Sequence, residues 1–294
     1  MKNLNKYVLI FFLVTFYSAY SCINEYRTKL NGNRRLINVG YELAKFKMDT
    51  LKLRKESENL LKRYKETDSI ELYSDYGAKL IYLKEYSKAL QVYEKIEKAT
   101  PNLYTTASNL GTIYELIGKP EKALNWIKKS VELNPNSHGG SEWIHLKILE
   151  HKLNIGNHSS ILDLDFGNEP EPKNINNYDL EKLLNHINHQ LYERLNFIKP
   201  QNKIVGELYY ELGNIQALTS YLEDVLVSYR NADKFGYQSD LMEQRKSKFE
   251  RIIKYHDLPE AIALLAILSI IAFLIVKRIR KKRKTKANRV DGSD

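Results

Sequence analysis

The sequence is poor in the residues that staple, punctuate or break a fold. One cysteine in 294 residues excludes an intramolecular disulfide and any cysteine-clustered zinc or iron–sulfur centre. Seven prolines and thirteen glycines are too few for a turn-rich all-β chain and point to long helices. There is no phosphate-cradling glycine motif, no G-x-S-x-G elbow and no Cys/His arrangement. Nothing therefore supports catalysis, and the expectation is a protein that is not an enzyme and carries no cofactor. What is present is a globular balance, 43% apolar and 28% charged.

The net charge of +10 suggests nucleic acid until its location is read. Lys2 and Lys6 supply +2 before residue 22, the nine bases and two acids of 277–294 supply +7, and Glu260 takes one away, leaving +2 for residues 22–258. Nucleic-acid binding needs Lys and Arg gathered on a folded face. Here the basicity belongs to the ends, so no nucleic-acid partner is expected.

Residues 1–21 read as a signal peptide, with Lys2 and Lys6 ahead of the apolar stretch Tyr7 to Tyr20 and the small residues Ala19 and Ser21 before a cut. Such a stretch reaches only ~21 Å as a helix, short of the ~30 Å hydrocarbon core. The next residue is Cys22, and the junction resembles a bacterial lipoprotein lipobox, which implies lipid attachment at Cys22. The alternative is a plain secretory cut with an incidental thiol. Toward the other end, Ala261 to Val276 is uncharged and apolar except for Ser269, and a cluster of bases follows. Residues 258–279 are thus expected to be one transmembrane helix. By the positive-inside rule, 280–294 would form a basic cytoplasmic tail and the body would lie outside the inner membrane.

The body repeats itself at 34 residues: Gly77 pairs with Gly111, Ala89 with Ala123, Leu90 with Leu124 and Pro101 with Pro135. The small residues suit a close helix crossing, Tyr93, Ile127 and Tyr114 suit a meeting with the next helix, and the prolines stop the second helix of each unit. With Leu110-Gly111, Tyr114, Gly118, Ala123 and Pro135 in one copy, and Tyr73, Tyr76-Gly77, Tyr86, Ala89, Tyr93 and Pro101 in the other, residues 70–137 resemble two tetratricopeptide repeats. A degenerate copy with Tyr209, Leu212-Gly213, Tyr229 and Ala232 occupies 206–239. There Val225 replaces the small alanine, which should widen the crossing. Residues 240–257 (Leu241, Met242, Phe249, Ile252, Ile253) read as a charged amphipathic capping helix.

Residues 22–69 are expected to be an N-terminal helical segment, with a charged helix over 42–66. Residues 138–205 interrupt the repeats. A helix over 142–153, a loop over about 154–177 containing Asp163 and Asp165, and a helix over 178–197 make an irregular helical insert. Loops of that length are often functional. Parts of this region resemble an extension found in bacterial tetratricopeptide-repeat proteins.

Metal chemistry finds little footing. His186, His189 and Glu193 could share a helix face, but a polar Asn- and His-rich surface is the plainer account. His145 and His151, six apart, point to different faces. Asp163 and Asp165 begin like a calcium loop, but Gly167 stands where a ligand is needed. No metal site is expected. The resemblance to tetratricopeptide repeats implies a peptide groove on the inner face of the first helices, carrying Ser74, Ala78, Ile81 and Tyr82, then Ser108, Asn109, Thr112 and Glu115. Asn109 fits a carboxylate-clamping pattern whose bases are absent, and Ile81 is expected simply to pack.

The reading is thus an all-α fold: a short tetratricopeptide-type α-solenoid with an irregular helical insert and one C-terminal transmembrane helix. Its expected role is an extracytoplasmic scaffold or adaptor binding a protein partner through the groove Ser74, Tyr82, Ser108, Asn109, Thr112 and Glu115, in the bacterial envelope. Two alternatives are a hydrolase or metal-dependent enzyme built on residues 140–200 and a single-span sensor signalling through the basic tail.

Overall fold

The computed structural model describes residues 23–39, 49–156, 160–255 and 265–278. The elements in chain order are strands β1 (Ile23–Thr28) and β2 (Arg34–Val39), then helices α1 (Thr50–Thr67), α2 (Ile70–Tyr82), α3 (Tyr86–Ala99), α4 (Tyr104–Leu116), α5 (Pro120–Leu133), α6 (Glu142–Lys152), α7 (Leu180–Arg194), α8 (Lys203–Thr219), α9 (Leu222–Lys234) and α10 (Asp240–Tyr255). A short helical turn, Ser137–Gly140, precedes α6. The described residues fall into two compact units.

The first unit is built from helix pairs. Helix α1 starts where the Asp49 carboxylate accepts from the amides of Leu51 and Lys52, satisfying two donors that an uncapped first turn leaves orphaned. Helices α3 and α5 stop at Ala99 and Leu133, and the residues between each and its proline, Thr100 and Asn134, have left the helical region. Pro120 opens α5, where its missing donor costs nothing. The crossings inside each pair are as close as the small residues suggested: Ala89 and Ala123 are wholly buried. A methyl group on Gly77 would lie 2.8 Å from the Tyr93 ring, and one on Gly111 would lie 2.5 Å from the Ile127 side chain. The core joins Leu80, Val92, Ile96, Leu110, Ile113 and Ile127 across successive pairs.

The second unit contains α8, α9 and α10. Asn202 caps α8 by accepting from the Val205 amide at 3.1 Å. Gly213 faces the Tyr229 ring with no room for a methyl group, which is the same sixteen-residue offset seen at Gly77–Tyr93 and Gly111–Ile127. Val225, expected to widen this crossing, is wholly buried in a core with Tyr229, Met242 and Phe249.

Three expectations need correction. Within 22–69, residues Ile23–Thr28 and Arg34–Val39 pair as a two-stranded sheet rather than a helix. The turn between them holds Gly32 at φ 82°, a conformation cheap only for glycine. The charged helix begins at Thr50. Among the described residues no helix is long and apolar enough to cross a membrane. The transmembrane helix is therefore not borne out, and the inner-membrane placement with a cytoplasmic tail, which depended on that span, falls with it. The expected signal peptide 1–21, Cys22 and the tail 280–294 lie outside the described residues.

Candidate functional site

The first helices of the two repeats, α2 and α4, place the expected groove residues, and the chain's own side chains engage most of them. The Tyr93 hydroxyl on α3 donates to the Ser74 carbonyl at 2.7 Å and accepts from the Asn109 amide nitrogen at 2.9 Å. Thr112 is half-buried and Ile81 is buried in the core. Ser108 is buried, and its hydroxyl lies 3.5 Å from Glu142 Oε1 on α6, one repeat period further along.

Glu115 is the centre of an ionic cluster rather than an open groove residue. Its Oε2 lies 2.7 Å from His145 Nε2, and its Oε1 accepts from Lys152 Nζ at 2.6 Å and Arg194 Nη1 at 3.1 Å. Burial opposes its ionisation, yet Arg194, His145 and Lys152 together hold its carboxyl well below the usual range. Burial likewise opposes protonation of His145, and the Glu115 carboxylate outweighs it, raising the imidazole. Behind them, Glu142 is itself buried and contacts two imidazoles, His138 Nδ1 at 2.6 Å and His145 Nδ1 at 3.2 Å. Gln190 closes the cluster by donating to the Ser141 hydroxyl at 3.2 Å.

Tyr82 is the groove residue that keeps a surface, at 38% exposure. Its ring stacks on Phe197 with centroids 5.5 Å apart, which fixes its orientation. It borders an open cleft between α1 and α2 that Asn59, Leu60, Asp75, Ala78 and Lys79 also line. Lys79 donates across this cleft to Glu56 at 2.7 Å.

His186 does not take the place considered for it. Among the described residues, the group able to hold a metal is His138, His189 and Glu193, with His138 coming from the turn before α6 and the other two from α7. Asp163 and Asp165 are exposed, and Asp165 accepts from the Gly167 amide at 2.8 Å, closing a tight turn instead of a cation loop.

The second unit holds a buried polar centre that the sequence reading passed over. Arg245 on α10 is 1% exposed. Its Nη1 donates to Asn214 Oδ1 at 2.8 Å and to the Tyr210 hydroxyl at 3.2 Å, its Nε to the Glu169 carbonyl at 3.1 Å, and its Nη2 to the Phe166 and Gly167 carbonyls. One guanidinium thus pins the insert loop through three backbone carbonyls. Beside it, the buried Glu211 accepts from Asn214 at 3.3 Å, and burial pushes its carboxyl up to about 8. The signal for Arg245 was its position three after Met242 and four before Phe249, on the apolar stripe of α10.

Residues 105–137, covering α4 and α5, match the family model described as tetratricopeptide repeat. No curated protein matches the sequence. Solved structures resemble the chain at low identity. A tetratricopeptide repeat protein from Parabacteroides merdae is 15% identical over 69% of this chain and 94% of its own, with a TM-score of 0.33. MamA is 18% identical over 64% and 96%, with a TM-score of 0.29. BtubC from P. vanneervenii is 12% identical over 73% and 90%, with a TM-score of 0.32.

Proposed function

We propose that the chain is a protein–protein interaction scaffold whose docking surface is the cleft around Tyr82, a reading supported by the match of residues 105–137 to the tetratricopeptide repeat. The observation that carries this reading is the division of labour along the groove. Ser108 and Glu115 are spent on α6 and the end of α7, whereas Tyr82 stays 38% exposed on a cleft with polar and apolar walls. A stacked aromatic loses little entropy when a partner covers it, and binding energy concentrates on such anchors. Asn59, Asp75 and Lys79 around it supply hydrogen bonding and charge for choosing the partner.

The test is crosslinking in intact cells followed by recovery of partners. Tyr82→Ala combined with Asn59→Arg is expected to remove a crosslinked protein while helix content stays unchanged and the melting temperature falls only by the lost Phe197 stack. Asp163→Ala with Asp165→Ala, on the exposed insert turn, is expected to leave it in place. Loss with the loop variant and retention with the cleft variant would assign binding to the insert instead.

A further inference from the structure

His138, His189 and Glu193 serve neither the core nor the Tyr82 cleft, yet they converge. Each offers one ligand atom, and these atoms all lie within 4.8 Å of one another. We propose that His138, His189 and Glu193 form a binding site for a zinc-class divalent ion, with water completing the coordination.

Spacing is the first argument. A tetrahedral zinc with bonds of about 2.0–2.1 Å holds its ligand atoms roughly 3.3 Å apart. Glu193 Oε1 already lies 3.2 Å from His189 Nε2. These two residues are four apart on α7, one turn of the same face, so the helix itself sets that separation. The His138 and His189 rings stack with centroids 5.8 Å apart, and the His138 ligand atom lies within 4.8 Å of the other two.

A second, independent observation concerns His189 Nε2. The atom is screened from solvent and has no hydrogen-bond partner, although the Glu193 carboxylate is beside it. A hydrogen bond would point the nitrogen and the oxygen at each other. Here both are near one another without that alignment, as two donors to a shared third atom would be. A buried polar atom left unsatisfied is costly, so such atoms usually have a purpose.

The surroundings are those of a ligand set. Glu142, whose side chain is 1% exposed, lies 2.6 Å from His138 Nδ1 and fixes that ring from behind, with its other oxygen held by His145. A carboxylate behind a ligating imidazole orients it and raises its basicity. His138 sits at φ 52° and ψ 41°, left-handed for a residue with a side chain, in a turn that aims its ring toward α7. The His138, His189 and Glu193 side chains are 33%, 39% and 40% exposed, so the site has an entry path and room for water. Two imidazoles and one carboxylate favour zinc and its neighbours over calcium or magnesium, which take oxygen ligands.

The full chain carrying Cys22→Ser, so that the lone thiol cannot compete, is stripped with chelator and titrated with Zn2+ by calorimetry. Co2+ then serves as a spectroscopic probe. One equivalent of Zn2+ per chain is expected, together with the intense visible band of tetrahedral Co2+. His189→Ala and Glu193→Gln should each weaken Zn2+ binding at least ~100-fold and bleach the cobalt band, whereas His151→Ala, at an exposed histidine of the same unit, should change neither. Helix content of the metal-free variants must match the parent, and His189→Gln replaces any variant that fails to fold. Absence of stoichiometric Zn2+ binding in the parent overturns the proposal. So does binding that survives both ligand substitutions, or a weak octahedral cobalt spectrum.

Discussion

Glu115 and Arg194 are 79 residues apart in sequence and 3.1 Å apart in the fold, a nearly buried carboxylate against a nearly buried guanidinium. The pair ties the end of α7 to the inner face of α4. It also explains why a residue expected to greet a partner is part of the protein's own interior.

Breaking this pair should be expensive from either side. A buried charge that loses its partner typically costs about 3–5 kcal/mol. Arg194→Met is expected to lower the unfolding free energy by less than that in chemical denaturation, because His145 and Lys152 still hold the Glu115 carboxylate. Adding Glu115→Gln should cost less than it does in the parent, because its contact with Arg194 is already gone. Strict additivity of the two substitutions would show that they are not coupled in solution.

The close crossings predict a second effect. A methyl group added at Gly111 would lie 2.5 Å from Ile127, and the same helix contact has no slack at Ala123. Gly111→Ala should therefore destabilise by about 1–3 kcal/mol through overpacking, although alanine is the better helix former. Gly118→Asn, at a positive φ with open space around it, should cost much less. Melting temperatures of the two variants decide the point.

Glu211 predicts a pH dependence. Its folded carboxyl titrates near 8, first because it is buried and then because Glu207 and Asp165 add negative charge, while Asn214 and Arg245 pull the other way. The folded state holds a proton that the unfolded chain releases near its ordinary value of 4.5, so this contribution to stability is complete below that value and fades as pH rises toward 8. Glu211→Gln should flatten that decline and leave the variant more stable than the parent at about pH 8.5, by an amount on the order of a few kcal/mol. Urea unfolding at about pH 5 and about pH 8.5 measures both slopes.

Arg245 predicts a local loss. Arg245→Met keeps the stem of the side chain but removes the donors to the Phe166, Gly167 and Glu169 carbonyls. Hydrogen exchange should rise in residues 163–172 while the amides of α8 and α9 stay protected. Unchanged exchange in the loop would mean that other contacts hold it.

The repeat core was legible because its signal is redundant. Gly77 and Gly111, Ala89 and Ala123, and two prolines recur at one period, and each has a single steric meaning. The groove was legible only as a surface. Ser108 and Glu115 sit where the repeat puts them, but nothing local says that Glu142, one period on, and Arg194 turn back to cover them. The hairpin was available in the sequence as Asn31-Gly32, a strong short-range turn signal, and was hidden by reading the segment for helical period alone. His145 was weighed against its neighbour His151, when its partners lay at Glu142 and across to Glu115. Arg245 is charged, and the apolar residues that mark the inner stripe of α10 do not by themselves show that it lies among them.

The Tyr93 phenol, suspended between the Ser74 carbonyl and Asn109, makes the two repeats cooperate. In a linear array each module's survival depends on its own stability plus a coupling to the next. Here part of that coupling passes through one oxygen atom belonging to the second helix of the first module and touching the opening helix of both. The modules are therefore expected to open together, with native-state exchange reporting one event for α2 through α5. Tyr93→Phe, which keeps the ring and deletes the oxygen, should split that event in two.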